Sequence, residues 1–314
     1  MTHSSEEIQN HAASTRQRLL NISRQKQADF TLVLKRYAAE RFLYRLGVSE
    51  QVDQFVLKGA SMFLVWAGEG FRPTKDVDLL SRTSTNQQAL RTTIETICTI
   101  VYPEDGLEFD VDSIRINDIR EDNAYGGLRV KLNAFLGETR IPLQVDVGFG
   151  DAITPECEVS DYPILLAENA SPHLWVYPRE SFVSEKLEAM VRYGLFNSRM
   201  KDFWDVAALA KRFDFDGETL RTAIEETFRR RITPVGERPP IALSPAFYQD
   251  PQRVQQWNAF QNNLGEELDL LRNFDEIGEL VIAFLKPVYE SLLQGQPFTL
   301  TWLAGGPWQP YGSS

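Results

Sequence analysis

The chain has few of the residues on which several common chemistries depend. Its 314 residues include only two cysteines, Cys98 and Cys157, and three histidines, His3, His11 and His173. Two cysteines are too few for a disulfide framework, and the scattered histidines form no zinc-ligand spacing. A reducing, cytoplasmic setting is therefore expected, and any bound metal should be held by carboxylates. No charge-free apolar run approaches the roughly 18 residues of a membrane span, and the polar stretch MTHSSEEIQNHAASTRQRLL lacks a signal-like apolar region. These features predict a soluble, unprocessed protein with no membrane partner. The G-x-x-x-x-G-K-[ST] pattern is also absent, so Lys58 before Gly59 is not a P-loop lysine. Positive charge is lacking too. The net charge of −11 argues against a surface wholly devoted to nucleic acid. The acidity is uneven, however: residues 179 to 231 hold 11 Lys or Arg against 10 Asp or Glu, leaving room for a local anion-binding patch.

With 43% apolar and 25% charged residues, the composition is that of a globular protein large enough for two domains. From Ser5 to about Leu46 apolar residues recur at helical spacing with a break near Gln27-Ala28-Asp29, predicting two N-terminal helices over residues 1–48. Residues 49–177 switch to short β-type runs at Phe55–Leu57, Val77–Leu80, Phe109–Ile116, Leu128–Phe135 and Ile141–Val147, with helices at Ser61–Trp66 and Gln87–Val101. Leu136 to Arg140 reads as a hairpin connection. Ala152–Pro178 reads as irregular. Residues 178–314 read as mainly helical, with helices at Glu180–Tyr193, Met200–Phe213, Gly217–Arg231, Pro251–Asn263 and Glu266–Leu293 and a loose tail after Gly305. The expected class is α+β: a mixed sheet with helices, preceded by N-terminal helices and followed by a helical half.

The most informative segment is Lys75-Asp76-Val77-Asp78-Leu79-Leu80. Two aspartates two apart on a strand point to one face, where they can share a divalent metal. An isolated D-x-D is more often a solvated turn, but here the apolar neighbours bury the strand, and close like charges need a counter-ion. Asp146, in Gln144-Val145-Asp146-Val147, alternates onto a polar face and is the candidate third carboxylate; Asp151 is a weaker one. Three carboxylates on one sheet face suit two-metal nucleotide transfer. Gly59-Ala60-Ser61 opens a predicted helix after a strand. It reads either as simple capping by Ser61 or as a turn whose backbone and hydroxyl meet nucleotide phosphates. Farther on, Lys186 and the run Arg199-Met200-Lys201-Asp202-Phe203-Trp204-Asp205 place Asp202 and Asp205 on one helix face with Arg199 a turn earlier. That pattern fits a salt-bridged helix or a nucleotide-clamping surface. Arg229 to Arg231 could contact RNA or simply complement a helix C-terminus, and Trp302, Trp308 and Tyr311 could stack bases or cover a core.

Taken together, Arg18-Leu19-Leu20-Asn21, Tyr37–Leu46 (YAAERFLYRL), Phe55–Ser61 (FVLKGAS), Arg72–Leu80 (RPTKDVDLL), Glu185-Lys186 and Lys201–Asp205 (KDFWD) resemble the AbiEii/AbiGii nucleotidyltransferase toxins, members of the DNA polymerase β-like superfamily. The resemblance covers most of residues 15 to 215 and implies the fold of that superfamily. It also implies a site in which Gly59 and Ser61 hold a nucleoside triphosphate, Asp76 and Asp78 bind Mg²⁺ or Mn²⁺, and Lys186 with Asp202 or Asp205 completes the set. Asp146 enters as a further metal ligand by analogy with the superfamily. The implied protein is the toxin of a toxin–antitoxin or phage-defence pair, with a cognate antitoxin as partner and the 3′ end of tRNA as favoured acceptor. Two rival readings of the same residues are an enzyme that nucleotidylates or phosphorylates a protein hydroxyl, and a nucleotide-binding module without turnover.

Overall fold

A computed structural model of the chain describes residues 5–68, 76–83, 86–119, 126–262 and 273–311. The chain divides into two compact units. One contains Met1–Gly150 and Glu158–Val176; the other contains Asp151–Cys157 and Tyr177–Ser314.

The first unit opens with helices α1 (Ser5–Gln25) and α2 (Phe30–Gly47), separated at the expected break. Asp29 caps α2 by accepting a hydrogen bond from the Leu32 N–H at 3.1 Å. Strands β1 (Phe55–Lys58), β2 (Val77–Ser81), β3 (Leu107–Ile119), β4 (Gly127–Leu136), β5 (Thr139–Phe149), β6 (Glu158–Asp161) and β7 (His173–Val176) form a mixed sheet in the order β3-β4-β5-β2-β1-β7-β6. Helix α3 (Met62–Ala67) follows β1, and α4 (Gln87–Cys98) follows β2. The hairpin between β4 and β5 closes on Leu136 opposite Thr139, leaving Gly137 and Glu138 as its two turn residues. Gly137 takes φ +59°, as a tight hairpin turn with glycine in first position requires.

Alternation along the central strands sorts the sheet into two faces. Val130, Leu132 and Ala134 of β4 and Ile141, Leu143, Val145 and Val147 of β5 are buried. At the β4 and β5 end, Ala134, Leu136 and Ile141 pack against Leu19 of α1 and Val33, Leu34 and Tyr37 of α2. The segment YAAERFLYRL is a buried tie between α2 and the loops that follow. The Tyr37 hydroxyl donates to the Asp105 carbonyl at 2.9 Å, Arg45 pairs with the Asp105 carboxylate at 2.7 Å, and the Leu165 N–H donates to Glu40 at 2.7 Å. Burial pushes the Glu40 carboxyl up to about 7 despite adjacent Arg41.

Two sequence expectations are corrected in this unit. Residues 158–161 and 173–176 are not irregular: they are β6 and β7, and β7 joins the sheet parallel to β1 through Leu57 and Val176. Four residues with polar or mixed composition give too short a period to announce a strand; sheet pairing supplies the order. The predicted helix at Gln87–Val101 ends at Cys98, with Thr99 as its cap.

The second unit contains α5 (Arg179–Tyr193), α6 (Met200–Arg212), α7 (Gly217–Arg230), α8 (Pro245–Tyr248), α9 (Pro251–Gln261) and α10 (Phe274–Gln294), with a small sheet of β8 (Phe215–Asp216), β9 (Leu300–Trp302) and β10 (Trp308–Pro310). The expected start of the last long helix, before Asn273, lies outside the described residues. Residues 306–310 are not a loose tail. Trp308 stacks on Phe284 with 7° between the ring planes, and its indole N–H donates to the Phe284 carbonyl at 2.8 Å. Trp302 is buried, its indole donating to the Ala210 carbonyl at 2.7 Å. Both tryptophans therefore cover a core and are not available to stack bases, whereas Tyr311 is exposed. Among the described residues no helix is long and apolar enough to cross a membrane.

Candidate active site

The aspartate pair sits where β2 begins. Asp76 occupies a bend immediately before the strand and Asp78 lies within it, both half-buried, while Val77, Leu79 and Leu80 are buried as expected. Lys75 and the rest of Arg72–Lys75 lie outside the described residues. Asp78 is the register partner of Lys58 on β1 and of Asp146 on β5. Registered neighbours on adjacent strands project to the same face, about 5 Å apart between strands. The structure thus sets Asp146 beside Asp78 on the polar side of the sheet.

Asp146 also has a partner that the sequence did not disclose. Arg129 of β4, its register neighbour, holds both carboxylate oxygens, with Nε to Oδ1 at 2.9 Å and Nη2 to Oδ2 at 2.7 Å. Alternation along β4 puts Arg129 and Lys131 opposite Val130 and Leu132, a pattern visible in the sequence; the strand register that delivers Arg129 to Asp146 is not. Asp151, the weaker alternative, is taken by Arg231 at 2.9 Å.

The turn after β1 is fitted to the aspartates. Gly59 has φ +70°, and a Cβ there would lie 2.0 Å from Oδ2 of Asp78 and 2.6 Å from its Cβ. No side chain fits this position, so glycine is required both by backbone conformation and by the approach of the carboxylate. Ser61 is buried, and its hydroxyl donates to the Lys58 carbonyl at 3.0 Å. It makes no side-chain cap to α3, so the capping reading of Ser61 is set aside. Its hydrogen bond instead braces the turn that presses on Asp78.

A cleft of about 360 Å³ opens beside Asp76, with Lys35, Ser113, Lys131, Asn133 and Gln144 among its lining. Three consecutive register pairs of β4 and β5 contribute to it: Lys131 with Gln144, Leu132 with Leu143 and Asn133 with Pro142.

The cationic group of the second unit is closed. Lys186 on α5 meets Asp202 at 2.5 Å and Asp205 at 3.3 Å, and Arg199 meets the other oxygen of Asp202 at 2.7 Å. Both carboxylates are fully buried, whereas Lys186 retains 14% of its side-chain surface. Burial pushes the Asp202 carboxyl up, but Lys186 and Arg199 outweigh it and hold the group below the ordinary Asp range. Of these four residues the two cations keep some exposure, Arg199 at 36% and Lys186 at 14%, while the two aspartates that hold Lys186 are enclosed. Arg231 is likewise committed, to Asp151, Glu185 and Glu188, and is no free RNA contact. Arg229 is exposed and pairs with Glu226.

Carboxylate oxygens are the donors that Mg²⁺ prefers, and that ion is commonly held by one or two carboxylates with substrate phosphates and water filling the rest. Asp76 and Asp78 fit this description. Among the described residues no three His, Cys, Asp or Glu side chains converge as a complete protein-only metal site.

The family model described as the nucleotidyl transferase AbiEii toxin of type IV toxin–antitoxin systems matches residues 41–280. None of the curated proteins matches. Among solved structures, JHP933 from Helicobacter pylori is similar at 14% identity and a TM-score of 0.44, over 81% of this chain and 90% of that one. A second H. pylori protein, provisionally described as a nucleotidyltransferase, is similar at 15% identity and a TM-score of 0.46, over 82% and 94%.

Proposed function

This chain belongs to the AbiEii family of nucleotidyltransferase toxins of type IV toxin–antitoxin systems, and from that premise we propose that it moves a nucleoside monophosphate from a nucleoside triphosphate to the 3′ end of tRNA and so inhibits translation. Nucleotidyl transfer and an antitoxin partner follow from the family; the metal, the nucleotide and the acceptor are our reading.

The observation that carries it is the fit of the Gly59 turn to Asp78, with Asp146 in register beside it. Asp76 and Asp78 hold Mg²⁺ or Mn²⁺ in this reading. Asp146, in register beside Asp78, would be a further ligand if released from Arg129, and the backbone at Gly59 and the braced Ser61 turn would meet the triphosphate. The bound cation supplies charge neutralisation at the phosphates and lowers the pKa of the attacking hydroxyl. Lys186, held by Asp202 and Asp205 within the second unit, is the lysine that matches the family pattern. In the reaction the acceptor 3′-oxygen bonds to the α-phosphorus and the bond to the β-phosphate oxygen breaks. Pyrophosphate leaves with the electron pair, and the hydroxyl proton passes to the aspartate set.

The test is transfer from each α-labelled nucleoside triphosphate to total tRNA in the presence of Mg²⁺, comparing the natural chain with Asp76→Ala. Label in tRNA that falls at least about a thousandfold in the variant, a loss of roughly 4 kcal/mol of transition-state stabilisation, is expected. Label retained by Asp76→Ala contradicts the metal assignment. Label in protein alone favours the protein-modifying alternative, and binding of nucleotide without any transfer favours the module without turnover.

A further inference from the structure

The two aspartates of the D-x-D differ in what lies next to them. Asp78 is the one against which the Gly59 turn closes. Asp76 is the one that lines the 360 Å³ cleft, and Asp78 is not part of that lining. Two residues along a strand separate them by about 7 Å. The pair thus has a turn at one end and a cleft at the other.

The chemistry of the cleft is specific. Lys35 from α2 and Lys131 from β4 both face it, and neither makes a hydrogen bond or ion pair with any described residue. This is unusual in a chain of net charge −11, whose other cations on the same sheet face include Arg129, clamped to Asp146. Asn133, Gln144 and Ser113 add amide and hydroxyl groups. The Ser113 hydroxyl is fixed where β3 bulges, donating to the Asp110 carbonyl at 2.6 Å and accepting from the Asn133 N–H at 2.8 Å. None of the described lining residues is aromatic, so none of them is a platform for base stacking. Two cations and neutral hydrogen-bonding groups beside the apolar Leu132, Pro142 and Leu143, with no aromatic among the described lining, match a phosphodiester backbone and its sugars.

We infer that this cleft is the acceptor subsite: it holds the sugar-phosphate backbone of a single-stranded RNA 3′ end through Lys35 and Lys131, delivering the terminal hydroxyl to Asp76. The assignment rests on the transfer reading above and adds to it the location and chemistry of acceptor binding. It makes acceptor recognition at this point independent of base identity, since both lysines address phosphate. Triphosphate and acceptor then approach the aspartate pair from opposite ends.

The experiment is fluorescence anisotropy of a labelled RNA oligonucleotide with a free 3′-hydroxyl against the full chain at several salt concentrations, alongside binding of a labelled nucleoside triphosphate with Mg²⁺. Lys131→Ala, the Lys35→Ala/Lys131→Ala double variant and Lys131→Arg are compared with the natural chain. The double variant should lose about tenfold in RNA affinity and flatten the log–log salt dependence by about one to two. Lys131→Arg should retain most of the affinity, and triphosphate binding should stay within about twofold throughout. Because Lys131 is exposed, its replacement tests the cleft even if Lys35→Ala disturbs α2. Unchanged RNA affinity and salt slope in the double variant overturn the inference. So does loss of triphosphate binding, which would make the cleft part of the nucleotide site, and so does a chain that labels protein and binds no RNA. The two readings fail separately. Transfer to tRNA that survives removal of both lysines with unchanged KM sinks the cleft assignment alone. RNA binding that depends on the lysines, without transfer from any nucleotide, sinks the transfer reading alone.

Discussion

The two charged clusters are built on opposite plans. In the second unit Asp202 and Asp205 are fully buried, and Lys186 and Arg199 neutralise them within the protein. At the start of β2, the central strand of the first unit's sheet, Asp76 and Asp78 are only half-buried, and Lys35 and Lys131 face a cleft without a described partner. A closed cluster stabilises and positions, because its charges already have counter-ions. The half-buried aspartates of the first unit instead lie beside a cleft large enough for a ligand. This contrast is why we propose metal and substrate chemistry at the start of β2, while in the helical cluster Lys186 is held between two buried carboxylates.

The sharpest way to break the open plan alone is Gly59→Ala. The new Cβ would overlap the Asp78 carboxylate, and the backbone at φ +70° would be strained by about 1–3 kcal/mol. Displacing one carboxylate by an ångström should cost at least about a hundredfold in transfer, measured by the tRNA-labelling assay beside a circular dichroism check of folding. Near-normal transfer in a folded Gly59→Ala variant would mean that the turn does not set the position of Asp78.

The closed plan is broken by Lys186→Met, which leaves two buried carboxylates with a reduced counter-charge. A destabilisation of about 3–5 kcal/mol is expected by chemical denaturation. Asp202→Asn should remove part of the same cluster and act with a pH signature. Its folded pKa is lowered, so its contribution is present above the ordinary Asp range and is lost as pH falls through the lower folded value. If Lys186→Met abolished transfer without touching stability, the cluster would belong with the open plan instead.

A smaller effect sharpens the boundary between structural and functional charge. Glu40 is fully buried, and its carboxyl is raised to about 7 by burial. The folded chain therefore binds this proton more tightly than the unfolded chain, and stability from this group falls as pH rises from about 4.5 to 7. Glu40→Gln keeps an acceptor for the Leu165 N–H. It should match the natural chain near pH 4.5 and exceed it by about 1–3 kcal/mol at pH 8. Equal stability at both pH values would contradict this account of Glu40.

Much of this contrast was legible in the residues. The break at Gln27–Asp29, the D-x-D before an apolar strand, the hairpin at Gly137 and the pairing of Arg199 with Asp202 all rest on local period and spacing, whereas the link of Lys186 to Asp202 and Asp205 came from the family resemblance. What was not legible depends on register and on distant packing. Nothing local says that Arg129 falls opposite Asp146, that Lys35 and Lys131 share a cleft, or that Ser61 braces its own turn. Strands β6 and β7 were missed because four residues carry too little pattern, and the tail because Trp308 reveals its place only against Phe284. The motif YAAERFLYRL supported the resemblance, but its Tyr37, Glu40 and Arg45 hold α2 to its neighbouring loops.

The central claim, that Asp76 and Asp78 and not the closed cluster take the metal, is tested most directly by Mn²⁺ binding followed by electron paramagnetic resonance in the presence of a non-hydrolysable nucleoside triphosphate. The natural chain, Asp76→Ala, Asp78→Ala and a folded Lys186→Met variant are compared. Protein-dependent Mn²⁺ binding that is lost in both aspartate variants and kept in Lys186→Met is the predicted result. Binding that survives in Asp76→Ala and Asp78→Ala together with loss in Lys186→Met would contradict the account.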